Sequence, residues 1–322
     1  MKTRFLQLLI GVLAATGLAQ ASLAAYPERA VKIVVPQTPG GGTDLLARLL
    51  AQKLSQRWGQ PVFVENKPGA GGIVGLESVA KSPNDGYTLL MSSDGPQAIN
   101  VSLYKSLPYD AVKDFTPIAT VGSIAFLVAA SNALPARNFA ELTKLAQSST
   151  DLTFGSAGNG SLNHLIGEMV NQATSIKLRH VPYKGAAPAI NDLLGGHVTT
   201  VVASVPSIAT QIDSGAVRAL AVTSAKRSLR LPNVPTISEF GYAQFGVSPW
   251  IGLLAPANLP AAMVKKINAD VNAILEDAEV KKAILAQGME PFPSTPEQFL
   301  SLVKSDIDKW GVVVRKANIK LD

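Results

Sequence analysis

The sequence has no cysteine among its 322 residues. This absence excludes a disulfide framework, a thiolate nucleophile and a cysteine-ligated metal. Histidine is scarce too, and the three that occur, His164, His180 and His197, lack the spacing of metal ligands. We therefore predict neither a metal site nor a cofactor.

Aromatic residues are also few, at 6% of the chain, and the basic residues are scattered along it. Nucleic-acid-binding surfaces typically combine clustered Lys and Arg with aromatic side chains, so the composition argues against nucleic acid as a partner. The formal net charge is +6, from 29 Lys and Arg against 23 Asp and Glu. A mild positive charge of this kind helps a protein to attract an anionic solute.

The first 24 residues have the pattern of a signal peptide. Lys2 and Arg4 form a basic start, residues 5–18 form an apolar core, and residues 19–24 contain two small-x-small cleavage sequences. The apolar core is shorter than the roughly 20 residues that a membrane-spanning helix needs. We expect cleavage near residues 21–25 and a periplasmic protein that is not embedded in the membrane.

Patterns typical of strands and helices alternate along the rest of the chain. This alternation predicts an α/β fold with parallel sheets covered by helices on both faces. The roughly 300 residues after the signal peptide are enough for two domains. Strands are predicted at 31–35, 87–92, 124–130, 152–155, 177–181, 198–203 and 217–223, and helices at 43–57, 72–81, 139–147, 162–173, 186–194, 206–214, 260–275, 277–287 and 296–316.

A glycine-rich turn, PQTPGGG at residues 36–42, separates the first predicted strand from a helix that begins near Thr43 and Asp44. Such a turn presents N–H groups at the positive end of a helix, which favours an anion. No Lys-Ser/Thr pair follows the glycines, and their spacing is not G-x-G-x-x-G, so a small anion such as a carboxylate fits better than a nucleotide. A tight loop with a good N-cap is the alternative.

Residues 154–164, FGSAGNGSLNH, repeat this arrangement, and Ser161 is suited to cap the second helix. Open α/β sheets bind ligands at the carboxyl ends of their strands. Two such loops that face each other would hold a small anion in a cleft.

The candidate ligand-binding residues lie in these loops and at the ends of other strands. Thr43 and Ser161 can act as helix caps, as hydroxyl donors to the ligand, or as both. Asp44 and His164 are interpreted as structural residues. Ser92 and Ser93 are expected to face the same side as polar contacts, and Tyr183 either stands at the cleft wall or packs between domains. The full set is Gly41, Gly42, Thr43, Ser92, Ser93, Ser156, Asn159, Gly160, Ser161, Tyr183 and Ser204.

Five blocks of the mature sequence occur in a characteristic order: VPQTPGGGTDLLAR, VFVENKPGAGGIVG, SLPYDAVKDFTPIA, HVPYKGAAPAINDLLGGHV and VRALAVTSAKRSLRLPNVPTISEFGY. Together they resemble the periplasmic solute receptors of the tripartite tricarboxylate transporter system, also called Bug-type receptors. The resemblance implies a type II periplasmic-binding-protein fold, with a ligand cleft between two α/β domains. It also implies a small carboxylate ligand and delivery to the membrane subunits of the transporter; we expect a monomer.

The resemblance also suggests where the domains divide. Domain 1 is expected to comprise residues 26–122 plus 247–322, and domain 2 residues 123–246. Crossing strands are expected near Val121–Phe126 and Val247–Leu253, and ligand is expected to close the two halves about them.

Two other functions share some of these features. A periplasmic ligand-sensing partner of a signalling system would have the same fold. A secreted hydrolase is disfavoured because G-x-S-x-G is absent and nothing in the sequence pairs Ser, His and Asp as a triad. We therefore predict a receptor and not an enzyme.

One residue that departs from the family pattern narrows the range of expected ligands. Ala203 stands where many relatives carry an Asp that can meet an ammonium group, and Ser204 beside it is a neutral polar contact. A buried ammonium without a carboxylate is costly, so the predicted ligand is a carboxylate without a free amine. Asp94 either replaces the missing acid from the opposite wall or is an exposed turn residue.

Overall fold

The computed structural model describes residues 26–149, 151–243 and 245–319. The predicted signal peptide lies outside the described residues. The first part of the chain forms β1 (Val31–Val35), α1 (Gly42–Trp58), β2 (Val62–Asn66), α2 (Ile73–Ala80), β3 (Thr88–Ser93), α3 (Asn100–Leu103) and β4 (Phe115–Ser123).

The central part forms β5 (Phe126–Ser131), α4 (Phe139–Ser148), β6 (Thr153–Ser156), α5 (Leu162–Thr174), β7 (Arg179–Pro182), α6 (Ala186–Leu194), β8 (Thr200–Ser204), α7 (Val205–Asp213) and β9 (Val217–Val222). The last part forms β10 (Trp250–Pro256), α8 (Ala261–Glu276), α9 (Ala278–Ala286), β11 (Glu290–Pro291) and α10 (Pro296–Lys316). The α/β class is confirmed, and the predicted helices lie within a few residues of their expected bounds.

The strands form two mixed sheets. Sheet 1 has the order β11-β4-β10-β3-β1-β2, and sheet 2 has the order β7-β6-β8-β5-β9. In sheet 1, β10 is antiparallel to both of its neighbours, and so is β5 in sheet 2. The prediction of parallel sheets is therefore wrong for these two strands, whereas β1 pairs in parallel with β2 and β3, and β6 with β7 and β8. The reason is that the chain enters sheet 2 at β5 and returns to sheet 1 at β10. Each of these strands therefore starts at the end of its sheet where the neighbouring strands finish.

Two chain segments cross between the sheets, and they lie side by side. The Ile124 N–H donates to the Pro249 carbonyl at 2.9 Å. Close by, the Val205 N–H donates to the Ala125 carbonyl at 2.8 Å, which ties β8 and α7 to the crossing. The segments fall where crossing strands were expected, while the division into domains at these points stays a prediction.

The core of the molecule continues from one sheet to the other through α10. Trp310 and Val313 of this helix pack in one apolar cluster with Ile99 from the sheet 1 side and with Phe126 and Phe154 of sheet 2. The apolar faces of α1 and α8 cover the other side of sheet 1. Among the described residues, no helix is both long and apolar enough to cross a membrane.

Candidate functional site

Loop 1, residues 36–42, connects β1 to α1. The helix begins at Gly42, and its N-cap residue is Gly41, with extended backbone angles of φ −77° and ψ 164°. Thr43 therefore lies inside the first turn, and its predicted role as the N-cap is wrong. A Cβ on Gly42 would lie 3.3 Å from the Met289 sulfur and 3.5 Å from Ile124, so loop 1 adjoins the crossing between the sheets.

Asp44 holds loop 1 from the inside. Its Oδ2 accepts hydrogen bonds from the Gly40 N–H and from Arg48 Nε, both at 2.9 Å, and its Oδ1 accepts one from Asn66 Nδ2 at 2.9 Å. Burial alone would raise the pKa of Asp44, but the bonds from Arg48, Gly40 and Asn66 outweigh it and lower this pKa. The structural interpretation of Asp44 is confirmed.

Ser92 and Ser93 end β3 at the same edge of sheet 1 as loop 1. They do not face the same side, because consecutive residues of a strand point to opposite faces. Ser92 is fully buried, whereas Ser93 is half-buried and its Oγ accepts a hydrogen bond from Gln37 Nε2 at 3.3 Å. Gln37 thus links loop 1 to β3. Sequence reasoning missed this residue, because a glutamine in a loop carries no motif.

Asp94 is not an exposed turn residue, since only 3% of it is exposed. Its Oδ1 accepts a hydrogen bond from the Gly95 N–H at 3.0 Å, while Oδ2 is buried without a hydrogen-bond partner. Burial, followed by the neighbouring charge of Asp306 on α10, raises the pKa of Asp94 to about 8, although Lys309 acts in the opposite direction. The side chain is therefore buried among the charged groups of α10.

Loop 2, residues 155–161, connects β6 to α5. Ser161 caps the helix as predicted, since its Oγ accepts from the His164 N–H at 3.3 Å and donates to the Gly158 carbonyl at 2.6 Å. Ser156 is fully buried, and its Oγ accepts from the Gly158 N–H at 3.1 Å. Gly160 uses its N–H within the loop as well, through a 3.1 Å bond to Nδ1 of His164.

The rings of His164 and His180 stack beneath loop 2. Their centroids are 3.7 Å apart and their planes differ by 8°. Burial, with a smaller contribution from the charge of His180, lowers the pKa of His164 to about 4. Burial also lowers the pKa of His180 to about 4. The stack agrees with the interpretation of His164 as a structural residue, and it places His180 beside it in the same role.

Ser156 and His180 form a pair that the sequence did not predict, with Oγ and Nε2 2.6 Å apart. A serine nucleophile needs a base at about this distance. Ser156 has no exposed surface, however, so a substrate cannot reach its hydroxyl while loop 2 keeps this shape. The hydrogen bond between Ser156 and His180 therefore helps to hold the shape of loop 2 and does not indicate a catalytic nucleophile.

The remaining candidates lie around loop 2 and at the end of β8. Tyr183 is half-buried against the core of sheet 2, and its hydroxyl donates to Oδ2 of Asp192 at 2.7 Å. Burial, followed by that contact, raises the pKa of Tyr183 to about 12. Ser204 is the N-cap residue of α7, and its Oγ lies 3.1 Å from that of Ser207. Asn159 is exposed in loop 2. Direct ligand contacts from these residues stay predictions.

The geometry defines a class of protein. Each sheet carries a glycine-rich loop at the carboxyl end of a parallel strand, followed by the N-terminus of a long helix, and the sheets are joined by two adjacent crossings. Ligands of open α/β sheets bind at such strand ends. This arrangement is that of a two-lobed solute receptor of the periplasmic-binding type.

Comparison with known proteins identifies the family. Residues 46–319 match the family described as "Tripartite tricarboxylate transporter family receptor", and the chain belongs to this family. It is 38% identical to Protein BugT of Bordetella pertussis, an alignment that covers 97% of each chain. The predicted relation to Bug-type receptors is confirmed.

Two solved structures extend the comparison. The chain is 34% identical to R. palustris Rpa4515 with adipate, with a TM-score of 0.76 over 92% of this chain and 100% of the other. It is 32% identical to MatC from Rhodopseudomonas palustris with bound malate, with a TM-score of 0.71 over 90% of this chain and 100% of the other. The type of fold expected from the resemblance is confirmed.

Proposed function

We propose that this receptor binds a small carboxylate in the periplasm, between loop 1 and loop 2, and delivers it to the membrane subunits of a tripartite tricarboxylate transporter. The observation that carries the proposal is the pair of glycine-rich helix N-termini, one on each sheet, beside a double crossing. Each N-terminus offers N–H groups and a partial positive charge to an anion.

The two domains divide at the crossing. Domain 1 comprises residues 26–122 and 247–322, and domain 2 comprises residues 123–246. Loop 1 then belongs to domain 1 and loop 2 to domain 2. A ligand that touches both loops stabilises the closed arrangement of the domains. The protein acts as a monomer after cleavage of the signal peptide.

The ligand is a carboxylate without a free amine. Ala203 and Ser204 offer no charge to an ammonium group, and Asp94 is buried beside Asp306 and Lys309. Two relatives with known ligands, Rpa4515 and MatC, hold adipate and malate respectively, which supports a dicarboxylate. The unpaired Oδ2 of Asp94 would have to leave its buried position to meet an amine.

A thermal-shift screen of mono-, di- and tricarboxylates, followed by calorimetry, tests the proposal. A ligand at 100 times its Kd should stabilise the protein by about 2.7 kcal/mol. Glutarate should bind more tightly than glutamate, because only glutamate brings an ammonium group. A preference for glutamate that disappears in Asp94→Asn would contradict this choice of ligand, and a screen without any binder would contradict the function.

Thr43→Val tests loop 1, because it keeps the volume of the side chain and removes its hydroxyl. We expect affinity for the bound carboxylate to fall by about 1–3 kcal/mol, the usual cost of an unpaired buried group. Thr143→Val in α4 is the matched control, since the Thr143 hydroxyl donates only within its own helix, to the Ala140 carbonyl. Equal affinities of the two variants would exclude a contact from Thr43.

The two other functions make different predictions. A hydrolase would react with a fluorophosphonate probe at Ser156 or Ser161, whereas the buried Ser156 hydroxyl of a receptor should not be labelled. A sensing partner would bind a sensor kinase in a pull-down. We expect neither result.

A further inference from the structure

Both glycine-rich loops are tied to the following helix by the same kind of contact. The Gly40 N–H of loop 1 donates to the side chain of Asp44, and the Gly160 N–H of loop 2 donates to the side chain of His164. In each case the acceptor lies four residues after the glycine, in the first turn of the helix. The acceptors differ chemically, because an imidazole nitrogen accepts a hydrogen bond only while it is unprotonated.

The contact with His164 fixes the protonation state of its ring. A backbone N–H can only donate, so Nδ1 of His164 carries no proton in this structure. The stacked His180 ring, 3.7 Å away, contacts the Ser156 hydroxyl, which in turn accepts the Gly158 N–H. The histidine pair therefore supports loop 2 at two of its backbone N–H groups.

We propose that His164 and His180 are positioning residues that keep loop 2 in its binding shape only while His164 is unprotonated, so that acidification releases the ligand. This inference rests on the proposed function, because it takes loop 2 as part of the ligand site. A proton on Nδ1 of His164 removes the acceptor of the Gly160 N–H and places two donors face to face. Protonation of His180 is less disruptive, since the Ser156 hydroxyl can turn to accept from it.

Few charged groups stand near the pair to hold a proton there. Glu168 on α5 is the nearest carboxylate to His164, but its Oε1 is 3.9 Å from Nε2, beyond hydrogen-bond distance. On β7 the side chain of Arg179 is exposed, and on α6 the Asp192 carboxylate binds Tyr183. β8 contacts α5 through Asn163, and α10 packs on α5 through apolar residues.

The direction of the pH effect follows from the lowered pKa of His164. Opening of loop 2 exposes the ring and restores its ordinary pKa of 6.5, whereas the pKa in the closed loop is about 4. The closed loop is thus fully favoured above pH 6.5 and loses this advantage as the pH falls toward 4. Opening should become about sevenfold more favourable between pH 5.5 and pH 4.5.

Hydrogen exchange of the ligand-free mature protein tests the loop directly. After correction for the intrinsic exchange rate, protection of the Gly160 amide should fall about sevenfold between pH 5.5 and pH 4.5. Protection of the Gly40 amide, bound to a carboxylate, should change much less. His164→Asn keeps an acceptor at the same position and cannot titrate, so it should remove the fall at Gly160. Unchanged protection of Gly160 in the wild type would overturn the proposal.

Calorimetry with adipate tests the consequence for the ligand. Because adipate itself takes up protons in this range, the wild type is compared at each pH with His164→Asn and with His197→Gln, whose histidine is exposed. The affinity of the wild type should fall several-fold relative to His164→Asn between pH 7 and pH 4.5, and His197→Gln should follow the wild type. A constant ratio overturns the proposal. Failure of every mono-, di- and tricarboxylate to bind at pH 7 overturns the proposed function instead, and the exchange experiment then decides the behaviour of the loop.

Discussion

A single carboxyl group, that of Asp94, is the least well paired of the buried acids described above. Oδ2 of its neighbour Asp306 accepts a hydrogen bond from Trp250 Nε1 at 2.8 Å, and Oδ1 of Asp306 lies 2.6 Å from Lys309 Nζ. The ammonium group of Lys309 is thus already paired, and Oδ2 of Asp94 has no hydrogen-bond partner. A second buried negative charge here would be uncompensated, which is why the pKa of Asp94 is raised to about 8.

The raised pKa predicts how stability depends on pH at this residue. The folded protein keeps a proton on Asp94 that the unfolded chain loses above pH 3.8, so the contribution of Asp94 to stability declines as the pH rises from about 4 to about 8. Asp94→Asn removes this decline. We expect its Tm to exceed that of the wild type by several degrees at pH 8 and to approach it at pH 4.

Thermal unfolding at several pH values checks this prediction. Asp308→Asn is the control, because it removes an exposed carboxyl group from the same helix. A Tm difference between Asp94→Asn and the wild type that stays constant with pH would contradict the assignment.

At the scale of single elements, loop 2 and α5 depend on Ser161, whose hydroxyl both caps the helix and closes the loop. Ser161→Ala should lower the free energy of unfolding by about 1 kcal/mol. Ser161→Asp should restore most of this loss, since Asp is an equally good N-cap. Its negative charge should nevertheless abolish binding of a carboxylate at loop 2.

The two Ser161 variants separate capping from binding. Denaturant unfolding measures the first and calorimetry with the best carboxylate measures the second. If Ser161→Asp binds the carboxylate as tightly as the wild type, loop 2 is not part of the site.

At the scale of the whole molecule, the two sheet units touch at Gly288, which lies between α9 and β11. A Cβ on Gly288 would come within 2.7 Å of Pro206 in α7. Gly288 also has a φ of +70°, which costs other residues about 1–2 kcal/mol. Gly288→Ala should therefore destabilise the protein and force the two units apart.

Gly215→Ala is the matched control, because Gly215 has the same φ of +70° and no atom within 4 Å of an added Cβ. Of the two variants, only Gly288→Ala should show a larger radius of gyration than the wild type in small-angle scattering. Addition of a carboxylate that binds should reduce the radius of gyration of the wild type more than that of Gly288→Ala. Identical scattering from the two alanine variants would show that the approach of Pro206 does not set the separation of the units.

The sequence predicted most helices because their apolar periodicity and caps are local. It did not predict β2, an edge strand in which Val62 is buried and Phe63 is exposed. The apolar run of this strand, Val62 to Val64, is only three residues long. The antiparallel courses of β5 and β10 were also missed, because strand direction depends on pairing between distant segments.

The candidate site shows the same limit. The two glycine-rich loops were evident from their composition, and Ser161 was recognised as a cap. The stack of His164 on His180 was not predicted, because it arises from the parallel pairing of β6 and β7, which aligns Phe154 with His180. Gly41 replaced Thr43 as the cap because the glycine run already supplies the extended residue that a helix start requires.

The position of β10 in sheet 1 has a consequence for how the chain folds. β10 lies between β3 and β4 in sheet 1, yet it is synthesised only after all strands of sheet 2. When β3 and β4 leave the ribosome, the strand that joins them in the sheet is therefore still missing. Closing an unstructured loop of the length between β4 and β10 costs about 4 kcal/mol by the (3/2)RT ln n relation. A folded sheet 2 brings Ile124 and Pro249 together and removes most of that cost. Sheet 2 thus acts as an internal template, and the order of folding should run from the middle of the chain outwards.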